Sequence, residues 1–317
     1  MLKNFYINIF ILIFFVLSTS SAQIGGQPGS FARMGFGARG MGMGNALSSL
    51  ATGEISSYYN PALVPFSESK TASVSFSIMP LDRNLNFLSY SQAVKPTAGL
   101  SVGLINAGVS NIDGRDNDGY QTENLSTSEN QFYLAFGNKV HERVSLGITI
   151  KLYYYKLYEN VSSSTVGFDA GALVKINDQM AVGLVIQDLG SKYKWDTGPI
   201  YGKDGGPTTD YFPRLYRLAY SYRLPNNFAA MAFEYERSSA KTTSLKIGAE
   251  ANLHEYFTIR TGIDRWNPSE KTEGIKPTFG FTFKKPFENF TPQINYAYVI
   301  EPFSIGGIHV ISLSAIF

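Results

Sequence analysis

The 317-residue chain has no cysteine, three histidines and two tryptophans. The absence of cysteine excludes disulfides, thiolate metal sites and cysteine nucleophiles, and it removes the residue that a lipoprotein anchor needs. Charge is scarce: Lys, Arg, Asp and Glu together make up 16%, against roughly 25% in a typical soluble domain. The net charge of +2 gives no basic field for nucleic acid, and no nucleic-acid partner is expected. After residue 22, no apolar segment approaches the ~20 residues a membrane helix requires. Catalytic patterns are missing too. There is no H-x-x-x-H and no G-x-S-x-G, and His141, His254 and His309 are scattered. The chain reads as a non-enzyme with no metal and no cofactor.

What is present is glycine, 30 residues of it, with 23 Phe and 20 Tyr. Mean hydropathy is close to zero, as expected when outward apolar residues alternate with inward polar ones in a membrane β-barrel. The start reads as a signal peptide over residues 1–22. Lys3 is the charged n-region, Phe5 to Leu17 is apolar apart from Asn8, and Ser20-Ser21-Ala22 is the small-residue cleavage site. An uncleaved anchor is the alternative.

Alternation dominates the body of the chain. Val74, Phe76 and Ile78 alternate with Ser73, Ser75 and Ser77. Leu146, Ile148, Ile150 and Leu152 alternate with Ser145, Gly147, Thr149 and Lys151. Phe279, Phe281 and Phe283 alternate with Thr278, Gly280 and Thr282. Such runs reach the ~9–11 residues that a tilted membrane strand needs. They predict an all-β fold: a transmembrane antiparallel barrel of about fourteen strands over 70–317, an even number as in other bacterial barrels. The predicted strands are 71–79, 85–95, 98–108, 129–138, 143–158, 164–176, 180–189, 213–223, 228–237, 242–252, 256–264, 276–284, 291–301 and 306–317.

Connection lengths support this division. The long ones, Ala107–Ser128, Leu189–Phe212 and Asp264–Ile275, follow the third, seventh and eleventh strands, and those after even strands are tight. Long external loops and short periplasmic turns therefore place both termini in the periplasm of an outer-membrane protein. Ile311, Leu313, Ala315 and Phe317 share one face of the last strand, and the terminal Phe317 resembles the signal read by barrel-assembly machinery. Outer-membrane lipid and that machinery are the first expected partners. Tyr153, Tyr154, Tyr155, Tyr216, Tyr220, Tyr222, Tyr296 and Tyr298 read as interfacial aromatics.

Residues 23–69 differ from the rest. Gly35-Phe36-Gly37-Ala38-Arg39-Gly40 formally matches G-x-G-x-x-G, but a dinucleotide site needs a preceding strand, a following helix and a parallel sheet, none of which is expected. The run continues through Gly42 and Gly44, and Tyr58-Tyr59-Asn60-Pro61-Ala62-Leu63 follows. Together these resemble the N-terminal signature of the PorV/PorQ family, within the group of barrels related to the fatty-acid transporter FadL. The resemblance implies a fourteen-stranded barrel whose N-terminal segment, 23–69, folds inward as a hatch. Its motif residues would be Gly35, Gly37, Arg39, Gly40, Gly42, Gly44, Asn60, Pro61 and Ala62. Two readings of Asn60-Pro61-Ala62 stay open: a cap on a short helix, or part of a gate.

If apolar partners face lipid, then Glu234, Glu236, Lys246, Glu250, Arg260 and Asp264 face the lumen, on three successive strands where opposite charges can pair across the ladder. They read either as a salt-bridged lining that anchors the hatch or as a polar substrate path. The family resemblance implies an accessory role in type IX protein export, with secretion-system or cargo proteins as partners. The two longest loops would be the contact surface, with Tyr193, Trp195, Tyr201 and Tyr211 as candidate anchors, unless that loop packs on itself. The alternatives are a FadL-like channel for hydrophobic small molecules, with an apolar pocket beside the hatch and a lateral opening at a kinked strand, and a structural barrel without transport.

Overall fold

The structure, a computed structural model, describes residues 26–52, 57–159, 161–267, 274–302 and 304–317. The expected signal peptide lies outside them, as do residues 268–273 of the third long connection. The strands are β1 (Thr71–Ile78), β2 (Arg83–Val94), β3 (Ala98–Arg115), β4 (Gln121–His141), β5 (Val144–Tyr158), β6 (Val161–Lys175), β7 (Met180–Leu189), β8 (Lys192–Asp196), β9 (Pro207–Tyr211), β10 (Leu215–Arg223), β11 (Ala229–Ser238), β12 (Thr243–His254), β13 (Phe257–Trp266), β14 (Lys276–Lys284), β15 (Thr291–Val299) and β16 (Ile308–Ile316).

Fourteen of these close into one antiparallel barrel, each paired with its neighbour in sequence except that β7 pairs with β10. β1 and β16 seal the ring, from Thr71 opposite Ile316 to Ile78 opposite His309. β8 and β9 form a separate two-stranded ribbon inside the expected Leu189–Phe212 loop. No helix among the described residues is long and apolar enough to cross a membrane.

Burial runs inside out. On β1, Ser75 is 1% exposed while Phe76 and Ile78 are 53% and 64% exposed. On β5, Ser145, Thr149 and Lys151 are buried while Ile148, Ile150 and Leu152 are exposed, and β16 repeats the pattern with Ser312 and Ser314 against Ile311 and Leu313. Soluble proteins do not expose contiguous apolar belts of this extent; a wall immersed in lipid does. Phe317 stays on the exposed face and stacks on Phe290, which in turn stacks on Phe287, at the rim carrying the short turns.

Two expectations are corrected. The stretch Ala107–Ser128 is not an open loop. β3 and β4 continue their ladder from Ala107 opposite Glu129 out to Arg115 opposite Gln121, with two register shifts. Beyond the apolar belt both faces of a hairpin meet water, so the pairing persists after alternation has faded. Tyr153 is not an interfacial aromatic either: it points inward and is buried, whereas Tyr154 on the opposite face is exposed. The result is a lopsided rim on which β3 to β6, the longest strands, stand above the others.

Candidate functional site

The described residues before β1 pack against the inner wall. A helical turn, Gly37–Gly42, touches β1 and β13 to β16, and a 3-10 turn, Pro61–Phe66, touches β2 to β6. The helical turn follows the G-x-G-x-x-G start, but Phe36 before it is a single extended N-cap residue and every strand pair is antiparallel, so the described residues hold no dinucleotide fold.

Inward-facing glycines make room for the segment. Gly99, Gly137, Gly147 and Gly171 stand opposite one another across β3, β4, β5 and β6. A Cβ would lie 2.6 Å from the Val64 carbonyl carbon at Gly99, 2.6 Å from the Pro61 oxygen at Gly137 and 2.5 Å from the Pro61 carbonyl carbon at Gly147. At Gly171 it would strike the Asn60 side chain, and at Gly248 and Gly262, on β12 and β13, the backbone of Met43 and Gly44. Strand glycine commonly marks close approach of another backbone, and here it lays out a track.

Polar contacts hold the segment to the other half of the wall. Arg39 grips Glu250 in a two-pronged pair, 3.2 Å from Nε and 2.6 Å from Nη2, and donates to the Thr52 oxygen at 2.8 Å. Arg260, the register partner of Glu250, donates to the same carboxylate at 3.0 Å. Asn45 donates to Asp264 at 3.0 Å, the Ser48 N–H to Glu234 at 3.3 Å and the Ala38 N–H to Ser312 Oγ at 2.8 Å. Asn60 caps the 3-10 turn by accepting from the Ala62 N–H at 2.9 Å, while its amide donates to the Ser48 oxygen at 2.8 Å and the Ala172 oxygen at 3.1 Å. Helix capping, one of the two readings left open, thus describes its geometry. The Tyr59 hydroxyl accepts from the Phe36 N–H at 3.0 Å and donates to Asn45 at 2.7 Å, and it fills the space beside Gly40, where a Cβ would strike it. Gly35 and Gly44 have φ of +123° and +58°, which glycine adopts without penalty.

All six predicted lumen charges face inward, and they form a wider network than the sequence suggested. Glu234 pairs with Lys246 at 3.3 Å, and Glu236 with Lys246 at 2.8 Å and with Arg217 at 2.7 Å. Arg217 went unnoticed, although its place between outward Tyr216 and Leu218 marks it as inward. A second group was also missed: Lys151 bridges Asp169 at 2.7 Å and Asp188 at 3.1 Å, and Tyr153 donates to Asp188 at 2.6 Å. Asp188 gave no signal because its φ of +63° and the register shift between β6 and β7 interrupt the alternation. Lys151, Arg217, Lys246 and Arg260 thus bridge the wall carboxylates Asp169, Asp188, Glu234, Glu236 and Glu250. The segment brings two further buried arginines: Arg39 pairs with Glu250 at 2.6 Å, and Arg33 donates to the Pro28 and Gln27 oxygens at 2.9 and 3.2 Å.

Towards the long-hairpin rim the interior turns aromatic. Phe36 lies 4.9 Å from Phe87 and 5.3 Å from Tyr58, ring centre to ring centre, and Phe212 lies 4.9 Å from Tyr153 and 4.8 Å from Tyr193. Trp195 packs on Tyr155 at 5.2 Å and donates its indole N–H to Asp210 at 2.8 Å. Tyr193 and Trp195 are buried, so of the four proposed loop anchors only Tyr201 and Tyr211 remain on the surface, 64% and 69% exposed. The β8–β9 ribbon packs on itself and on β6 because its aromatic face finds the inner rings, a pairing that linear sequence does not display. At the opposite rim a polar cavity of about 270 Å³ opens beside the Arg39–Glu250 pair, and an apolar groove of about 560 Å³ runs along the outer wall over β11 to β15.

No protein-family model and no curated protein matches the chain. Among solved structures it is similar to the CymD monoaromatic hydrocarbon channel, with a TM-score of 0.64 at 14% identity over 89% of this chain and 97% of that one. It is similar to the Pseudomonas putida toluene transporter TodX, with a TM-score of 0.61 at 13% identity over 89% of this chain and 96% of that one. A Pseudomonas aeruginosa FadL homologue gives a TM-score of 0.62 at 12% identity over 89% and 98%. The shared feature is the fold, a closed antiparallel barrel.

Proposed function

We propose that this chain is a non-enzymatic outer-membrane barrel that admits hydrophobic small molecules, with residues 23–69 as its hatch and 70–317 as its wall. The observation that carries this reading is the aromatic cluster inside an otherwise polar lumen. Phe31, Phe36 and Tyr58 come from the segment and Phe87, Tyr133 and Tyr153 from the wall, so displacement of the segment would open an apolar site at the long-hairpin rim. The fold supports it, since the similar solved structures include a monoaromatic hydrocarbon channel and a toluene transporter. The register shift between β6 and β7 at Asp188 is the wall irregularity nearest that site and the natural place for a lateral path. The orientation that fits has the long hairpins outside and both termini in the periplasm.

Accessory service in type IX export, the second reading, rests on the likeness of residues 35–63 to PorV/PorQ proteins and on exposed Tyr120, Tyr201 and Tyr211 at the long-hairpin rim, where cargo or surface-attachment proteins would dock. Deleting the gene separates the two. The channel reading expects slower uptake of long-chain or aromatic hydrocarbons with normal display of surface proteins. Lost display with unchanged uptake sinks it in favour of export.

A further inference from the structure

The outward face of β2 to β6 changes chemistry within one register row. Leu88, Leu104, Phe132, Leu152 and Val166 stand opposite one another across the five strands, and all are 37–54% exposed. The next outward row towards the long-hairpin rim is Asn86, Asn106, Asn130, Tyr154 and Ser164. The row after that is Asn84, Gly108, Ser128, Lys156 and Ser162. Neither of these two rows holds an aliphatic side chain.

The asparagines of the first polar row are joined side chain to side chain. Asn86 donates to Asn106 at 3.4 Å, Asn106 donates to Asn130 at 2.8 Å, and Asn130 donates to Ser128 Oγ at 3.0 Å. An unpaired amide against hydrocarbon is costly, and the chain of bonds lets these amides sit directly above the apolar row. An amide carries two N–H groups and two lone pairs, so the chain leaves donors and acceptors for a ligand. Tyr154 adds an amphipathic ring of the kind that settles at headgroup level, and Lys156 adds an exposed positive charge.

This face also continues beyond the belt. β1 stops at Ile78, which is itself 64% exposed. β3 and β4 instead carry their ladder from Asn106 opposite Asn130 out to Arg115 opposite Gln121, so a head group above the belt has protein beside it. From the apolar row, the amide chain and the lysine, stacked in that order, we infer that the outward face of β2 to β6 binds a glycolipid. Its acyl chains lie on the Leu88–Val166 row, its head sugars on Asn86, Asn106 and Asn130, and an anionic substituent of the head at Lys156. A saccharide offers many hydroxyls to a row of amides, whereas a plain phospholipid head offers few. The inference rests on the orientation that puts the long hairpins outside, where saccharide-headed lipid lies, and is independent of what the barrel admits.

Native mass spectrometry of the full mature chain in non-ionic detergent tests it, with rough lipopolysaccharide and phosphatidylglycerol as probes. The lipopolysaccharide should be retained in preference to phosphatidylglycerol. N86L/N106L/N130L, which extends the apolar row by one step, should lower that retention about tenfold, the loss expected when a few neutral hydrogen bonds go, and leave phosphatidylglycerol unchanged. K156Q should lower it a few-fold at low salt, where the charge is least screened. Heat-modifiable migration on gels checks the fold of each variant. Equal retention of the two lipids, or unchanged lipopolysaccharide retention in either variant, overturns the proposal. A dimer that the triple change abolishes also overturns it and assigns the amides to a second copy. Because the chain has no cysteine, S162C can be labelled on intact cells with a membrane-impermeant maleimide. Labelling upholds the orientation, so that a lipid result against the proposal then counts against the site alone. Labelling only after the membrane is disrupted overturns the orientation and the glycolipid site with it.

Discussion

The two halves of the wall hold the same inner segment by opposite means. Across β3 to β6 the wall withdraws its side chains: the row Gly99, Gly137, Gly147 and Gly171 lets the backbone of Asn60 to Pro65 lie directly on the strands. Across β11 to β13 it offers charge: Glu234, Glu250 and Asp264 reach Ser48, Arg39 and Asn45. The glycine half provides shape, which fails abruptly when a side chain is added. The charged half provides attraction, and there the carboxylates at Glu234 and Glu250 also pair with wall cations, Lys246 and Arg260. Glu234 and Glu250 would therefore keep a cationic partner on the wall without the segment, whereas the glycine row depends on shape alone.

The largest effect should come from breaking the shape. Gly147→Leu drives a side chain into Pro61, where the contact is with backbone and cannot be relieved by a rotamer change. Overpacking costs typically 1–3 kcal/mol, and more against backbone; the segment should leave its seat and expose Arg33 and Arg39 to trypsin. Gly206→Ala, at a glycine with open space around it, is the control and should stay resistant. Next comes Glu250→Gln, which leaves Arg39 and Arg260 sharing a neutral amide. Loss of one partner of a buried pair costs about 3–5 kcal/mol in full burial, and less here because Glu250 borders a water-accessible cavity. Urea midpoints of the refolded barrel and trypsin cleavage would rank the two. Faster cleavage in E250Q than in G147L would reverse the comparison and make charge the dominant hold.

Most of the wall was legible because a lipid-facing strand writes its two environments alternately into the chain: Ser75 and Phe76, or Thr282 and Phe283, cannot exchange faces. Legibility ends where that rule ends. The β3–β4 hairpin beyond Ala107 has water on both faces and lost its pattern, though not its ladder. Tyr153 was misread because three successive tyrosines carry no phase; the phase lay in Lys151 and Leu152 beside them. The charged site was half legible, Glu234 with Lys246 and Glu250 with Arg260 being cross-strand partners, but Arg39 belongs to a distant stretch and its pairing depends on the tertiary fold. The inward glycines were visible as alternation partners, yet no feature of a single strand says which backbone will lie on them.

Arg39→Ala should do less than Glu250→Gln, and the asymmetry sharpens the comparison. Removing Arg39 leaves Glu250 with Arg260 at 3.0 Å, so no buried charge is stranded. What is lost is the segment's ion pair with Glu250 and its tie to Thr52, worth about 1.5–3 kcal/mol as charge-assisted hydrogen bonds. The barrel's urea midpoint should therefore fall slightly while trypsin reaches Arg33 faster. Asn60→Ala removes the cap on the 3-10 turn, about 1 kcal/mol, and should loosen only the glycine half, visible as slower hydrogen exchange protection build-up at Ala62 with Arg33 still shielded. If Arg39→Ala instead lowers the midpoint as far as Glu250→Gln, the wall is not compensated on its own, and the segment is a structural core element in place of a movable one.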